Sequence, residues 1–150
     1  MKILKNFFNY NHNNWFEHKK ECFIYNIISN LFFLIPLLIT NNSKKKLFYF
    51  LTFLFSNIFH LDLCKDGKCN ILLYILDILF IIPHLFFKEN IKMFLSGNII
   101  ILLLLFISLY SYFKGFDGWK NKKPHQYHKY HGLWHIFSSF ILTYIELNNV

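Results

Sequence analysis

The sequence predicts an all-α fold, a polytopic bundle of about five transmembrane helices. Three observations carry that prediction. The 150-residue chain is 55% hydrophobic and only 16% charged, an apolar excess that a soluble domain of this length rarely carries. The apolar residues are gathered into long runs, which is how membrane spans are written. The polar residues fall between the runs in short connections, as antiparallel neighbours in one bundle require.

A span needs about 20 consecutive apolar residues. The first predicted helix runs from about Cys22 to Thr40 and the second from about Leu47 to Leu61. The second is short and fits a thinned bilayer or a small tilt. The third runs from about Asn70 to Phe87, the fourth from about Met93 to Phe113 and the fifth from about Tyr130 to Ile145. The fourth contains the almost purely aliphatic run Ile99 to Ile107. Pro36 and Pro83 come late in their helices, where a kink or an ending is expected. Predicted loops are Asn41 to Lys46, Asp62 to Cys69, Lys88 to Lys92 and the longer Lys114 to Lys129. Residues 1–21 form a polar, Asn-rich N-terminal segment, 22–146 the transmembrane domain and 147–150 a short tail. The N-terminal segment lacks an apolar core with a small-residue cleavage site, so no cleaved signal peptide is expected.

The net charge of +8 comes from Lys alone, since the chain has no Arg. These Lys lie in loops and form no continuous basic face, which argues against nucleic acid. Attraction to anionic lipid headgroups is the simpler account. If the N-terminal side of the bundle is called side B, most of the Lys fall on it. The positive-inside tendency then favours a cytosolic B side, with Lys44, Lys45 and Lys46 weighing against it.

Ionisable groups inside apolar runs carry the chemistry. His60 closes the second helix, His131 and His135 open the fifth, and Asp77 interrupts the third. Such groups at membrane depth are costly and mark functional sites. Following the helices back and forth places all four towards side B, with Ser56 one turn deeper than His60 and Ser29 two turns deep on the first helix. His131 and His135 share a helical face at a spacing suited to one metal ion. With eight His in the chain, about 0.4 such pairs arise by chance. The alternative is a set of interfacial imidazoles beside Trp134 and Tyr130. Three His with one open position is the ligand set of a catalytic zinc.

The order Ser56-x-x-Phe59-His60, then Asp77, then His131-x-x-Trp134-His135 resembles the signature of the alkaline ceramidase superfamily. That group includes the progestin/adiponectin receptors and GPI-lipid-remodelling hydrolases. Asn26-x-x-Ser29-Asn30-Leu31 followed by Pro36 is similar to the family's opening helix. Trp15-x-Glu17, with Glu21 further on, resembles its acidic calcium loop. The resemblance implies an intramembrane zinc-dependent lipid hydrolase, reduced from a seven-helix family core. His60, His131 and His135 would bind Zn2+. Asp77 would act as general base and then acid, and Ser56 would bond the water or the developing oxyanion. Ser29 and Asn26 would be structural polar groups between helices. A Ca2+ at Trp15, Glu17 and Glu21 is a second implied cofactor. The implied partner is a membrane lipid such as ceramide, cleaved at its amide to a fatty acid and a sphingoid base. An acyl-ester hydrolase of glycerolipid or GPI-lipid is the alternative within enzymes. A receptor-like or scaffold protein with structural zinc is the alternative outside them. Self-association as a homo-oligomer is compatible with any of these.

The remaining candidates have simpler readings. Asp62 is an alternative acid at the end of the second helix. Cys64 and Cys69 could join His60 in a separate zinc site, pair as a disulfide, or stay free thiols in a reducing compartment. His125 and His128 are expected in a solvated loop, His84 at the opposite interface, and His12 and His18 in loops.

Overall fold

The computed structural model describes residues 18–66 and 71–148. Among them every regular element is helical. Six segments follow in order: α1 (Lys19–Ile39), α2 (Ser43–Asp66), α3 (Ile71–Phe86), α4 (Lys88–Leu95), α5 (Ile99–Lys120) and α6 (Pro124–Asn148). Three helices are long and apolar enough to cross a membrane: Lys19–Ile39, Ser43–Lys65 and Ile99–Lys120. α3 contributes a shorter apolar stretch, Leu72–Ile81. α6 has the length but not the apolar content, because His, Lys, Gln and Ser recur along it.

Burial runs opposite to that of a soluble domain. The outer surface carries Leu38, Phe86, Leu95, Phe106 and Phe113, each more than 60% exposed. Among the described residues, buried polar side chains outnumber buried apolar ones. An apolar exterior around a polar interior is what lipid as solvent selects. α2 shows the pattern best. Lys45, Tyr49, Thr52, Ser56 and His60 recur at helical spacing and are all fully buried.

α6 is the central element. α5 lies along it, and α1 crosses it on another side. Two glycines permit these approaches. A Cβ on Gly118 would lie 2.6 Å from the backbone nitrogen of Tyr127, so α5 and α6 meet backbone to backbone. A Cβ on Gly132 would run into the carbonyl of Tyr25, so α1 sits directly on α6. Small residues allow such contacts between helices without hydrophobic driving force. α3 leans on α2 and stands apart from α5, which leaves a cleft between them.

Local chemistry moves several helix ends from their predicted places. Asn42 accepts from the backbone of Lys44 and Lys45, so α2 begins at Ser43, inside the expected loop. Residues 88–92, expected as a loop, belong to α4. Gly97 at φ +70 and the Asn98 cap, which accepts from Ile100 and Ile101, delay the start of α5 to Ile99 rather than Met93. The expected loop Lys114 to Lys129 shrinks to Asn121–Lys123. Lys122 at φ 56 closes α5, with Lys122 N–H donating to the Trp119 carbonyl and Lys123 N–H to that of Gly118. Pro124 then opens α6, a position where its missing N–H costs nothing. His125 and His128 are therefore helical, and His128 is buried rather than solvated.

Cys64 is joined to Cys22 by a disulfide that ties α1 to α2 beside His60. The cysteine pair expected from sequence, Cys64 with Cys69, is thus corrected, as is a zinc site using Cys64. Cys69 lies outside the described residues, as do His12, Trp15 and Glu17.

Candidate metal centre

Four helices build the centre, each turned inward by its own local pattern. α1 passes through a π-helical stretch, Phe23–Ile28, and a 3₁₀ turn, Leu31–Phe33. The widened π-helical turn is of a kind that recurs at functional sites. Here Asn26, Ser29 and Asn30 all face the interior. α2 delivers Ser56 and His60 from its polar stripe, α3 delivers Asp77, and α6 delivers His131 and His135 one turn apart.

The three imidazoles meet. Each of His60, His131 and His135 offers a ring nitrogen, and these atoms lie within 4.8 Å of one another. Nε2 of His60 and Nε2 of His131 are 3.1 Å apart. Tetrahedral ligands at about 2.0–2.1 Å from one ion sit about 3.3 Å from each other, so the spacing is close to what shared coordination needs. His60 and His135 are fully buried, while His131 is partly exposed to the cleft.

Hydrogen bonding settles how His135 presents itself. The Ser29 hydroxyl donates its only proton to the Asn26 carbonyl at 3.0 Å. It therefore accepts from Nδ1–H of His135 at 3.1 Å. That leaves the lone pair on Nε2, which is buried with no hydrogen-bond partner among the described residues. An imidazole with one nitrogen held by a neighbour and the other aimed at a shared point is the usual arrangement of a metal ligand. The donor set fits a divalent ion that favours nitrogen. Ser29 was expected to be only a packing group, yet it hydrogen-bonds His135 of the imidazole cluster. Asn26, also expected as structural, donates through Nδ2 to Nδ1 of His128 at 2.9 Å.

Asp77 is buried, at 3% exposed. The Ser56 hydroxyl is in hydrogen-bonding reach of its carboxyl, and Oδ1 has no partner among the described residues. The single proton of that hydroxyl goes to Oδ1 of Asn30 at 3.2 Å, so it reaches Asp77 only by turning away from Asn30. Asp77 and His131 line one cavity of about 200 Å³, together with Tyr74, Tyr112 and Trp134. That cavity occupies the cleft between α3 and α5. Asp62, the alternative acid, is half-buried and is not among the side chains gathered at the imidazoles.

Glu21 stands at the entrance rather than in the centre. Its Oε2 accepts from His18 at 3.1 Å and from His125 at 3.0 Å, which pins the start of α1 to the start of α6.

Two features escaped the sequence reading. One is the Ser29–His135 contact, for which the helical spacing of Asn26, Ser29 and Asn30 was the available signal. The other is His84, expected at an interface and found 3% exposed in the interior. Its seven-residue separation from Asp77 on one helix face could have placed it there.

No family model, no curated protein and no solved structure matches this chain.

Proposed function

We propose that the protein is a membrane-embedded, zinc-dependent lipid hydrolase, ceramidase-like in cleaving a linear amide. The observation that carries this reading is the placing of a buried carboxyl group, whose Oδ1 has no partner among the described residues, and a metal-capable imidazole on one cavity. His60, His131 and His135 would hold the ion through Nε2. When bound, zinc supplies Lewis-acid polarisation and lowers the pKa of water towards about 7.

The chain's own residues do the rest. Asp77 takes the proton of the attacking water as its oxygen adds to the carbonyl carbon. When the carbon–nitrogen bond breaks, Asp77 returns that proton to the leaving amine. A fatty acid and a free amine base result. Ser56, by turning its single proton from Asn30 to Asp77, orients the carboxyl from the α2 side. Tyr74, Tyr112 and Trp134 exclude bulk water and face the acyl chain, which enters between α3 and α5 from the bilayer. The apolar exterior supports embedding of the whole bundle, with α3 and α6 as further spans.

The test pairs metal analysis of the purified protein with product mass spectrometry on ceramide and on phospholipid. One zinc per chain and release of fatty acid from ceramide are expected. His131→Ala should remove metal and turnover together, whereas Asp77→Asn should keep the metal and lose turnover. Full turnover in Asp77→Asn would remove its assigned role. Release from phospholipid alone would move the reading to an ester hydrolase. Zinc without turnover on either lipid would point to a structural ion.

A further inference from the structure

The cavity beside Asp77 does not end there. Ile81 and Trp134 line it and also line a second compartment of about 250 Å³ that lies deeper, towards the far end of the bundle. The walls of that compartment are mainly apolar, with Phe33, Phe94, Leu105 and Leu142 prominent. Three polar side chains interrupt them: Ser108, Ser138 and His84. The two serine hydroxyls bond each other at 2.9 Å. His84 is in a different position.

Thr52 donates its only hydroxyl proton to the Phe80 carbonyl at 2.9 Å. It therefore accepts from Nε2–H of His84 at 3.0 Å. The tautomer is fixed, and Nδ1 carries a lone pair. Among the described residues no donor reaches that atom. The ring cannot turn to find one. Tyr49 stacks on it at 4.5 Å with an interplanar angle of 9°, and Phe48 meets it edge-on at 6.4 Å. A rigid acceptor without a donor, buried beside an apolar cavity, is costly unless a ligand satisfies it. Lipid and cofactor sites use such isolated polar groups to choose among similar apolar ligands.

We propose that the deep compartment selects a lipid chain bearing a hydroxyl group, which donates to Nδ1 of His84. His84 follows Asp77 by seven residues, a rise of about 10 Å, which corresponds to about eight methylenes beyond the reacting carbonyl. The assignment of which end of the chain lies at Asp77 rests on the hydrolase reading. The binding preference itself does not.

The experiment uses the full chain in nanodiscs and two free fatty acids, stearic acid and stearic acid hydroxylated near its tenth carbon, with affinity read by native mass spectrometry. The wild-type protein is expected to prefer the hydroxylated chain about tenfold, the effect of one hydrogen bond to an otherwise unsatisfied acceptor. His84→Phe should erase the preference and leave affinity for plain stearic acid within about twofold. Ser108→Ala should leave the preference intact. Equal wild-type affinity for the two acids overturns the proposal and needs no variant to read. A preference that survives His84→Phe, or disappears in Ser108→Ala, overturns the assignment to His84. Because free acids bind without being cleaved, a preference found in a protein that hydrolyses no lipid leaves this compartment standing and removes the hydrolase reading alone.

Discussion

Ser29→Ala isolates the geometry of the centre from its ligands. The hydroxyl of Ser29 accepts from Nδ1–H of His135 at 3.1 Å while donating to the Asn26 carbonyl. Alanine removes both bonds, leaves Nδ1–H with the Asn26 carbonyl as its remaining acceptor, and loosens the hold on the ring. All three ligand imidazoles remain. Loss of such an outer partner typically weakens metal binding 10–100-fold, or about 1.4–2.8 kcal/mol. The measurement is zinc affinity in detergent by competition with a chromophoric chelator, with helix content followed by circular dichroism. Ser139→Ala is the control. Ser139 faces the same helix, α1, and donates to the Phe32 carbonyl at 2.6 Å, but it touches no imidazole. It should lower stability and leave zinc affinity within about twofold. Ser29→Thr, which keeps a hydroxyl, should retain most of the affinity. Unchanged affinity in Ser29→Ala, or an equal loss in Ser139→Ala, would refute the view that Ser29 fixes the His135 tautomer.

Other substitutions probe how the bundle holds that geometry. Gly132→Ala forces a methyl group against the Tyr25 carbonyl, so α1 must leave α6; a drop in melting temperature together with weaker zinc binding is expected, from thermal melts and chelator competition. Lys45 and Glu146 form a buried pair at 2.8 Å, so Glu146→Leu alone should cost about 3–5 kcal/mol, whereas Lys45→Met with Glu146→Leu should cost clearly less than the two single changes added; a double-mutant cycle in denaturant shows additivity if this is wrong. Cys22→Ser removes a cross-link between residues 42 apart, worth up to about 4 kcal/mol by chain entropy. Its unfolding midpoint should match that of the reduced wild-type protein, and a mismatch would mean that the serine acts by another route.

The helical class and the cluster of three imidazoles were legible because each rests on a periodic signal. The apolar runs report length directly, and the His131/His135 spacing reports a shared face. Meeting with His60 followed from counting helices, which needs only that each one reverses direction. What the sequence hid depends on side-chain length and on partners distant in the chain. Lys45 sits in Lys44-Lys45-Lys46 and reads as a loop cation, yet it is 2% exposed and held by Glu146 and Asn90. Its partner Glu146 comes 101 residues later, near the end of the chain. A hydropathy window averages Lys45 with two exposed neighbours and cannot separate them. The helical spacing Lys45, Tyr49, Thr52, Ser56, His60 was available, but an apolar-run criterion discards it, because it counts greasy residues and not polar ones in phase. The disulfide was hidden for a related reason: Cys22 lies inside the first span, and only the antiparallel return of α2 brings Cys64 beside it.

The two ends of the polar interior differ in a way that bears on function. At the far end, Lys45 donates to Glu146, Asn90 and Glu89, Tyr49 donates to Glu146, and Asn90 donates to the His84 carbonyl. Charge meets charge there and the donors find acceptors, as expected of a clamp joining α2, α4 and α6. At the metal centre the pattern reverses. Oδ1 of Asn26, Nδ2 of Asn30, Nδ1 of His60, Oδ1 of Asp77 and Nε2 of His135 have no partners among the described residues, with Thr143 a similar case elsewhere. Buried polar atoms are almost always satisfied in native proteins, and more strictly so where lipid replaces water. Purely structural polar groups would be expected to pair off in both places. Unsatisfied polar atoms concentrated around three imidazoles and one carboxyl group instead mark a place suited to a ligand. The same reasoning singles out Nδ1 of His84, which has no partner among the described residues and belongs to a side chain that lines the deep compartment.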